Sequence, residues 1–276
     1  MNVMSSAPTR TATTENFPVG SWLIAPALRP LVAAYYRVTR SADDIADDPR
    51  LPAEDKTALL DRIDTTLAGG SDEDTAAVAL RDAFRAHGLA IEHARHLLQA
   101  FKADAVNRPC RSWSDLLTYC RFSAAPVGRF LLELHGEARS TWPAGDALCS
   151  ALQILNHLQD CQSDWRDLQR LYLPADWLRE AGLTPEALLA PNTSPALRGV
   201  LDRALDGVDR LNQVAATLPK QIANRRLRME VTAILFISKR LASRLRHGDP
   251  LAGRVALSMF VKAGALLAGG MRGWWR

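Results

Sequence analysis

Asp43-Asp44-Ile45-Ala46-Asp47-Asp48, an acidic run near the end of the first long helical segment, decides the fold. Residues four apart share a helix face, so Asp43 and Asp47 lie one above the other. Like charges at this spacing cost a few tenths of a kcal/mol per pair. The run therefore indicates a bound cation, and its alternative is a solvated helix end.

A second acidic stretch, QILNHLQDCQSD over residues 153–164, repeats this spacing much later in the chain. Its polar residues share one helix face: Gln153, Asn156, Asp160 and Asp164. The same stretch contains Leu155 and Leu158, so its carboxylates lie near a core and need partners. Oxygen ligands, with no His or Cys among them, favour Mg²⁺, which prefers one or two carboxylates together with waters and phosphate oxygens. The two stretches predict two acidic helix faces that bind a diphosphate through Mg²⁺.

Proline and glycine separate periodic apolar segments along all 276 residues, and no segment is typical of a strand. The sequence predicts an all-α, single-domain helical bundle around a central cavity, with about ten helices. The main predicted helices span residues 31–48, 52–69, 72–87, 91–101, 112–134, 146–164, 195–218 and 222–247. A kink is expected near Ala125, because Pro126 and Gly128 follow it, and residues 165–174 are expected to form a non-helical connector.

The chain is divided into a flexible tail (1–15), a synthase domain (16–250) and a C-terminal helix (251–276). The last segment is apolar with basic residues and ends in two tryptophans, which suits either a helix on a membrane surface or a last core helix. The net charge of +4 and pI near 9.0 suit an anionic partner. Scattered basic residues argue against nucleic acid. Four cysteines without a C-x-x-C pair and no secretory signal predict a cytoplasmic protein, peripheral on the inner membrane face if its C-terminus binds lipid.

The chain resembles the squalene and phytoene synthase family of head-to-head isoprenoid synthases from about Asn16 to Leu251. The resemblance rests on two motifs in the right order and on a tail of the Arg-x-Tyr-x-Pro type. The matching residues are Tyr36, Arg40 and Asp43–Asp47 in the first motif, Gln153, Asn156, Asp160 and Asp164 in the second, and Arg170–Pro174 in the tail.

Within the family, the chain is most similar to the hydroxysqualene-forming members from hopanoid pathways. Three segments support this: residues 15–19, 39–47 and 119–129. Relatives that condense two prenyl diphosphates usually have Tyr in place of Arg121 and Arg in place of Gln159. The chain departs from the hydroxysqualene pattern at Ala125, where Asn is common, and at residues 167–169, where a shorter Lys-Gly link is usual.

The resemblance implies Mg²⁺-dependent ionisation of presqualene diphosphate, followed by carbocation rearrangement and capture of water, without a nicotinamide cofactor. The implied metal ligands are Asp43, Asp47, Asn156, Asp160 and Asp164. The implied substrate-binding groups are Arg40, Asp44, Gln153, Arg170, Tyr172, Ser123 and Val127. The two arginines are implied as diphosphate donors, because the planar guanidinium fork matches phosphate oxygens. An ion pair from Arg40 to Asp44 is the structural alternative for that arginine.

The resemblance also implies a dry tunnel for the cation, with Tyr36 facing it as an aromatic surface. Apolar candidates for the tunnel wall are Phe122, Val127, Phe130, Leu131 and Leu155. Arg121 and Ser123 are the candidates for its polar end. With Asp43, Asp47, Asp160 and Asp164, Tyr36 and Arg121 complete the predicted catalytic set.

Two alternatives stay open. One is a condensing synthase of the same fold that makes presqualene diphosphate, dehydrosqualene or phytoene from two prenyl diphosphates. The other is a non-catalytic helical protein that binds lipid or a partner through its basic C-terminal segment. If the protein instead converts presqualene diphosphate, functional coupling to a presqualene diphosphate synthase is expected, since that enzyme would supply the substrate.

Overall fold

The computed structural model describes residues 24–257, and within them all regular structure is helical. This confirms the all-α class. Eleven α-helices occur in this part of the chain, against about ten predicted. They are α1 (Arg29–Asp47), α2 (Ala53–Leu67), α3 (Thr75–Ala86), α4 (Glu92–Ala105), α5 (Trp113–Ser123), α6 (Ala125–Leu134), α7 (Trp142–Leu168), α8 (Ala175–Glu180), α9 (Pro195–Ala215), α10 (Leu218–Gln221) and α11 (Arg225–His247). Short 3-10 helices span Pro26–Leu28, Arg139–Thr141 and Pro185–Leu189.

Residues 24–257 form two compact units, the first ending at Val106 and the second beginning at Asn107. In the first unit, α1 packs against α2, α3 and α4. Proline in the first turn begins α1, and Asp74 caps α3 by accepting from the backbone N–H of Ala77 at 2.8 Å. The buried stripe of α1 includes Tyr35, which stacks on Phe84 of α3 with ring centroids 5.9 Å apart. This packing fixes the rotation of α1 and hence the direction of its acidic face.

In the second unit, the 27-residue helix α7 packs against α5, α6, α9 and α11. One side of α7 is buried, with Ala151, Ile154, Leu155 and Leu158 at 2% exposure or less. Gly128 lets α6 approach it closely, because a Cβ there would lie 2.5 Å from Cys149 Sγ. A rigid, buried side therefore orients the polar side of α7.

Three helix boundaries differ from the prediction. The expected kink near Ala125 is a full break at Ala124 that separates α5 from α6. The start of α7 lies at Trp142, before Gly145, because this glycine is a packing position: a Cβ there would be 2.9 Å from Leu132 Cδ1. The expected non-helical connector is also shorter than predicted, since residues 165–168 continue α7 and the chain leaves the helix at Gln169.

Beyond α11, residues 251–257 form turns and irregular backbone. Leu251 and Leu257 are 5% and 7% exposed and belong to the core of the second unit. The predicted tail (1–15) and most of the predicted C-terminal helix (258–276) lie outside the described residues. Among the helices of residues 24–257, none combines the length and apolarity that crossing a membrane requires.

Candidate active site

The acidic face of α1 contains an arginine bound to two carboxylates. Arg40 Nη1 donates to Asp43 Oδ2 at 2.8 Å, and its Nη2 donates to Asp44 Oδ1 at 2.7 Å. The Arg40 side chain is 12% exposed, so this fork is largely withdrawn from water. The ion pair expected as the alternative for Arg40 is therefore present, and it extends to Asp43.

Asp43 has an unusual proton affinity. Burial first, and then the charge of Asp47 one turn later, raise its pKa from 3.8 to about 7, while Arg40 opposes the shift. Asp104, at the end of α4 and 7% exposed, adds a third negative charge that acts on Asp43. A carboxylate among like charges favours a proton or a metal cation beside it.

The remaining first-motif residues differ in their surroundings. Tyr36 lies one turn before Arg40 and is half-buried, and Asp47 is likewise half-buried. Asp48 lies just beyond the end of α1 and forms an ion pair of 2.6 Å with the exposed Arg50, which lowers the Asp48 pKa to about 2. Asp48 therefore behaves as a helix-end residue.

The polar face of α7 contains a residue that sequence analysis did not select. Gln153 Nε2 lies 3.1 Å from His157 Nε2, and His157 Nδ1 lies 3.7 Å from Asp164 Oδ2. The imidazole also stacks on Tyr172, with ring centroids 3.7 Å apart and planes 20° apart. One histidine thus contacts three of the predicted site residues.

Tyr172 reaches α7 because the chain reverses at Gln169. This residue has φ 53° and ψ 34°, the left-handed conformation that usually favours glycine. The next backbone N–H, of Arg170, then donates to the carbonyl of Asp164 at 3.0 Å. Arg170 is consequently buried, at 7% exposure, beside the end of the acidic face.

Asp160 is bound by the chain segment that follows α11. Arg254 Nε lies 3.1 Å from Asp160 Oδ1, and Arg254 Nη2 donates to Oδ2 at 3.3 Å. The neighbouring Gln159, 3% exposed, donates to the carbonyl of Val255 at 2.5 Å. Gln159 occurs where condensing relatives tend to have Arg, and here it anchors the 251–257 segment.

The residues near the α5–α6 break are unequally placed. Arg121 is exposed on α5, which gives no support to its predicted role at the polar end of a tunnel. The Ser123 hydroxyl is buried and has no hydrogen-bond partner within residues 24–257. A buried hydroxyl of this kind can donate to a ligand or a water.

The apolar candidates fall into two groups. Phe130 and Leu155 are fully buried and belong to the core. Phe122, Val127 and Leu131 are half-buried. Only the second group has surface with which to contact a ligand, so core packing accounts for the first.

The donor set on the two helices fits Mg²⁺. Within residues 24–257, no three His, Cys, Asp or Glu side chains form a group that would bind a metal by itself. Magnesium usually binds through one or two carboxylates and completes its shell with water and phosphate oxygens. Asp43 with Asp47 on α1, and Asn156 with Asp160 and Asp164 on α7, match that requirement. The two motifs belong to different units, and the idea that they act on one diphosphate stays a prediction.

Three residues near the motifs escaped sequence analysis. His157 has the four-residue spacing from Gln153 that identified the other face residues, so the same rule could have selected it. Asp104 and Arg254 are distant in sequence from the residues that they affect, and no local pattern marks them.

Comparisons with known proteins extend over most of the chain. The model of the squalene/phytoene synthase family matches residues 10–261. A protein of Sinorhizobium fredii named hydroxysqualene synthase is 41% identical over 88% of this chain and 84% of its own length. A hydroxysqualene synthase of Rhodopseudomonas palustris is 43% identical over 88% of this chain and 83% of its own. The crystal structure of squalene synthase HpnC from Alicyclobacillus acidocaldarius superposes with a TM-score of 0.74 at 28% identity, over 86% of this chain and 90% of its own.

Proposed function

Because the chain belongs to the squalene/phytoene synthase family, we propose that it converts presqualene diphosphate and water into hydroxysqualene and diphosphate with the aid of Mg²⁺. One structural observation supports this best. The side chains of Asp160 and Asp164 are only 11% and 15% exposed, although they lie on the polar face of a long helix. A merely solvated face would expose these carboxylates. Arg254 already pairs with Asp160, and Mg²⁺ would be the further cation on this face.

The first step is cleavage of the carbon–oxygen bond, with the electron pair leaving on the diphosphate. Bound Mg²⁺ would act as a Lewis acid that stabilises the negative charge developing there. Asp43, Asp47, Asn156, Asp160 and Asp164 would be its ligands. The chemistry requires that the four aspartates be ionised and that all five side chains be fixed in place before the substrate arrives.

The diphosphate is oriented by the chain's own donors. Arg170 is buried next to the end of α7, and its guanidinium can bind two phosphate oxygens. The Tyr172 hydroxyl can add a third donor. Arg40 would exchange part of its binding to Asp43 and Asp44 for phosphate, and Gln153 would contact the same group.

After rearrangement, a water attacks the carbocation, and its proton passes to the departing diphosphate. The buried Ser123 hydroxyl is the better candidate for orienting this water, because Arg121 is exposed. Tyr36 would present its ring to the cation. Val127, Phe122 and Leu131 would exclude other water from the hydrocarbon.

The test is product analysis with purified protein, presqualene diphosphate and Mg²⁺. Hydroxysqualene is expected without nicotinamide, and a chelator should abolish its formation. Asp160→Asn and Asp164→Asn should each lower kcat by about 10²-fold or more. Asp167→Asn is the matched control, because Asp167 lies in the last turn of the same helix but is 54% exposed.

Incubation with farnesyl diphosphate and Mg²⁺ separates the two enzymatic interpretations. The competing interpretation is a condensing synthase of the same fold, which would use farnesyl diphosphate as its substrate. Consumption of farnesyl diphosphate would contradict the proposal. If farnesyl diphosphate is not consumed, a separate enzyme that condenses two prenyl diphosphates must supply the presqualene diphosphate. Functional coupling to that enzyme is therefore expected.

A further inference from the structure

His157 occupies the centre of the polar face of α7, between residues that the proposed function uses. Gln153 precedes it by one turn and Asp164 follows it by two turns, so the three side chains share one face. The His157 side chain is 10% exposed and Asp164 is 15% exposed. The imidazole is therefore held among protein groups.

Its two ring nitrogens have different partners. The Gln153 amide nitrogen donates to Nε2 at 3.1 Å, so Nε2 accepts and Nδ1 bears the hydrogen. This Nδ1–H lies 3.7 Å from the Asp164 carboxylate, which is too long for a hydrogen bond but close enough for electrostatic attraction. Both ends of the ring thus restrain predicted site residues.

The faces of the ring contact aromatic residues. Tyr172 stacks on it at 3.7 Å, and Tyr119 of α5 is tilted against both rings, at 5.7 Å from His157 and 5.1 Å from Tyr172. Aromatic contacts of this kind limit the rotation of each member. Tyr172 comes from the segment after the chain reversal, so His157 links that segment to α7.

We propose that His157 is a positioning residue for the diphosphate-binding groups: its ring fixes the direction of the Tyr172 hydroxyl, and its nitrogens fix Gln153 and Asp164. This inference rests on the proposed function for the identity of the substrate. Its physical basis is that a displacement of about 1 Å in a binding group can reduce the rate about 10²-fold. The competing interpretation is that the three rings only stabilise the packing of the second unit.

Two substitutions of His157 separate the contributions of the ring and of its nitrogens, and a third substitution, at another histidine, is the control. His157→Phe retains a stacking ring of similar volume and lacks both nitrogens. His157→Asn retains an amide nitrogen near the position of Nδ1 and lacks the stacked ring. His135→Phe is the matched control, because His135 is a half-buried histidine at the end of α6 whose Nδ1 lies 2.8 Å from the local carbonyl of Leu131.

Binding is measured first, by titration calorimetry of the full chain with inorganic diphosphate in the presence of Mg²⁺. His157→Asn should weaken this binding at least about tenfold, because Tyr172 is no longer fixed. His157→Phe should recover most of the Tyr172 contribution while retaining a defect in the Mg²⁺ concentration needed for half-saturation, since Asp164 loses its neighbour. His135→Phe should match the wild type in both measurements.

Kinetics with presqualene diphosphate provides the second readout. His157→Asn should raise KM, and His157→Phe should mainly lower kcat. A packing role alone would reduce the thermal stability of both variants, and the two variants would then not differ in whether KM or kcat is affected. If both variants bind Mg²⁺ and diphosphate as the wild type does, or if His135→Phe shows the same defects, the positioning role is wrong.

Failure of the proposed function has a different signature. In that case the wild type would not convert presqualene diphosphate, whereas the dependence of Mg²⁺–diphosphate binding on His157 could still be measured. His157→Phe fills the volume of the native ring, so it tests the inference even if His157→Asn does not fold.

Discussion

The guanidinium of Arg254 contacts both carboxylate oxygens of Asp160, a predicted metal ligand, at 3.1 and 3.3 Å. Arg254 is 47% exposed, whereas Asp160 is 11% exposed. A cation that enters from outside the helix must share this carboxylate with the arginine or displace it. The pair therefore predicts competition between Arg254 and Mg²⁺.

Arg254→Gln should strengthen Mg²⁺ binding in the absence of substrate. Half-exposed ion pairs contribute about 0.2–1 kcal/mol, so the Mg²⁺ concentration for half-saturation should fall by up to about fivefold. The difference should shrink as salt is added. Calorimetry measures it, with Arg240→Gln on the exposed side of α11 as control; an unchanged or weakened affinity in Arg254→Gln would contradict the competition.

Metal binding should depend on pH through Asp43. Its pKa is about 7 because of burial and of nearby Asp47 and Asp104, and Mg²⁺ binds the ionised form. Affinity should therefore rise between about pH 6 and pH 8, with release of a proton. Asp104→Asn removes one like charge, which lowers the Asp43 pKa and moves the rise to lower pH. Calorimetry in two buffers of different ionisation enthalpy reports the proton, and a flat profile would rule this explanation out.

The Asp43 carboxyl also makes stability depend on pH: the free energy of unfolding falls as pH rises, whereas the affinity for Mg²⁺ increases. The folded-state pKa of Asp43 lies above its ordinary value of 3.8, so the metal-free folded protein binds the extra proton. Its contribution to the free energy of unfolding is fully present below about pH 4 and is lost as pH rises through about 7. Denaturant unfolding of wild type and Asp43→Asn across this range, without Mg²⁺, should show the slope only in the wild type.

Two glycines on α9 should respond to alanine in opposite directions. A Cβ at Gly207 would overlap the ring of Trp113, which stacks on Trp177 with ring centroids 5.4 Å apart. A Cβ at Gly199 would meet no side chain or other helix of the described residues within 4 Å. Gly207→Ala should destabilise by about 1–3 kcal/mol through overpacking. Gly199→Ala should stabilise by up to about 1 kcal/mol through helix propensity. Unfolding in denaturant measures both, and equal effects would contradict the packing described.

Replacing Gln169 with glycine should stabilise the protein. A side chain in the left-handed region costs about 1–2 kcal/mol, and the greater freedom of glycine in the unfolded chain returns about 0.4–1 kcal/mol of this. Gln169→Gly should therefore gain about 0.5–1 kcal/mol, despite loss of the bond from Gln169 Nε2 to the Trp165 carbonyl at 2.8 Å. Gln169→Val is the contrasting variant, since a β-branched residue fits this conformation poorly, and it should be destabilised.

The sequence was most informative where proline or a capping residue ended a helix. Pro49 and Pro52 correctly bracket the gap between α1 and α2, because proline restricts the residue before it and lacks an N–H. Gly145 was misleading, because a glycine that admits a neighbouring helix has the same letter as one that ends a helix. Only the position of Leu132 distinguishes the two.

The residues of the candidate site also differ in whether the sequence could identify them. Four-residue spacing was sufficient to select the polar face of α7, since a single helix determines which residues share a side. Arg254 and Asp104 belong to other segments, and their effect on Asp160 and Asp43 depends on tertiary packing. Arg121 was selected by family resemblance and is exposed on α5, so its role at the polar end of a tunnel stays a prediction.

The anchoring of Val255 by Gln159 has a practical consequence for anyone shortening this protein. A version that stops at residue 250 to remove the apolar C-terminus would also delete two buried leucines and the arginine on Asp160. Ending the chain after Leu257 keeps these groups while discarding the tryptophan-containing end. The difference in stability between the two truncations would measure what residues 251–257 contribute to the helical core. The difference between the longer truncation and the full chain would measure what the remaining residues contribute.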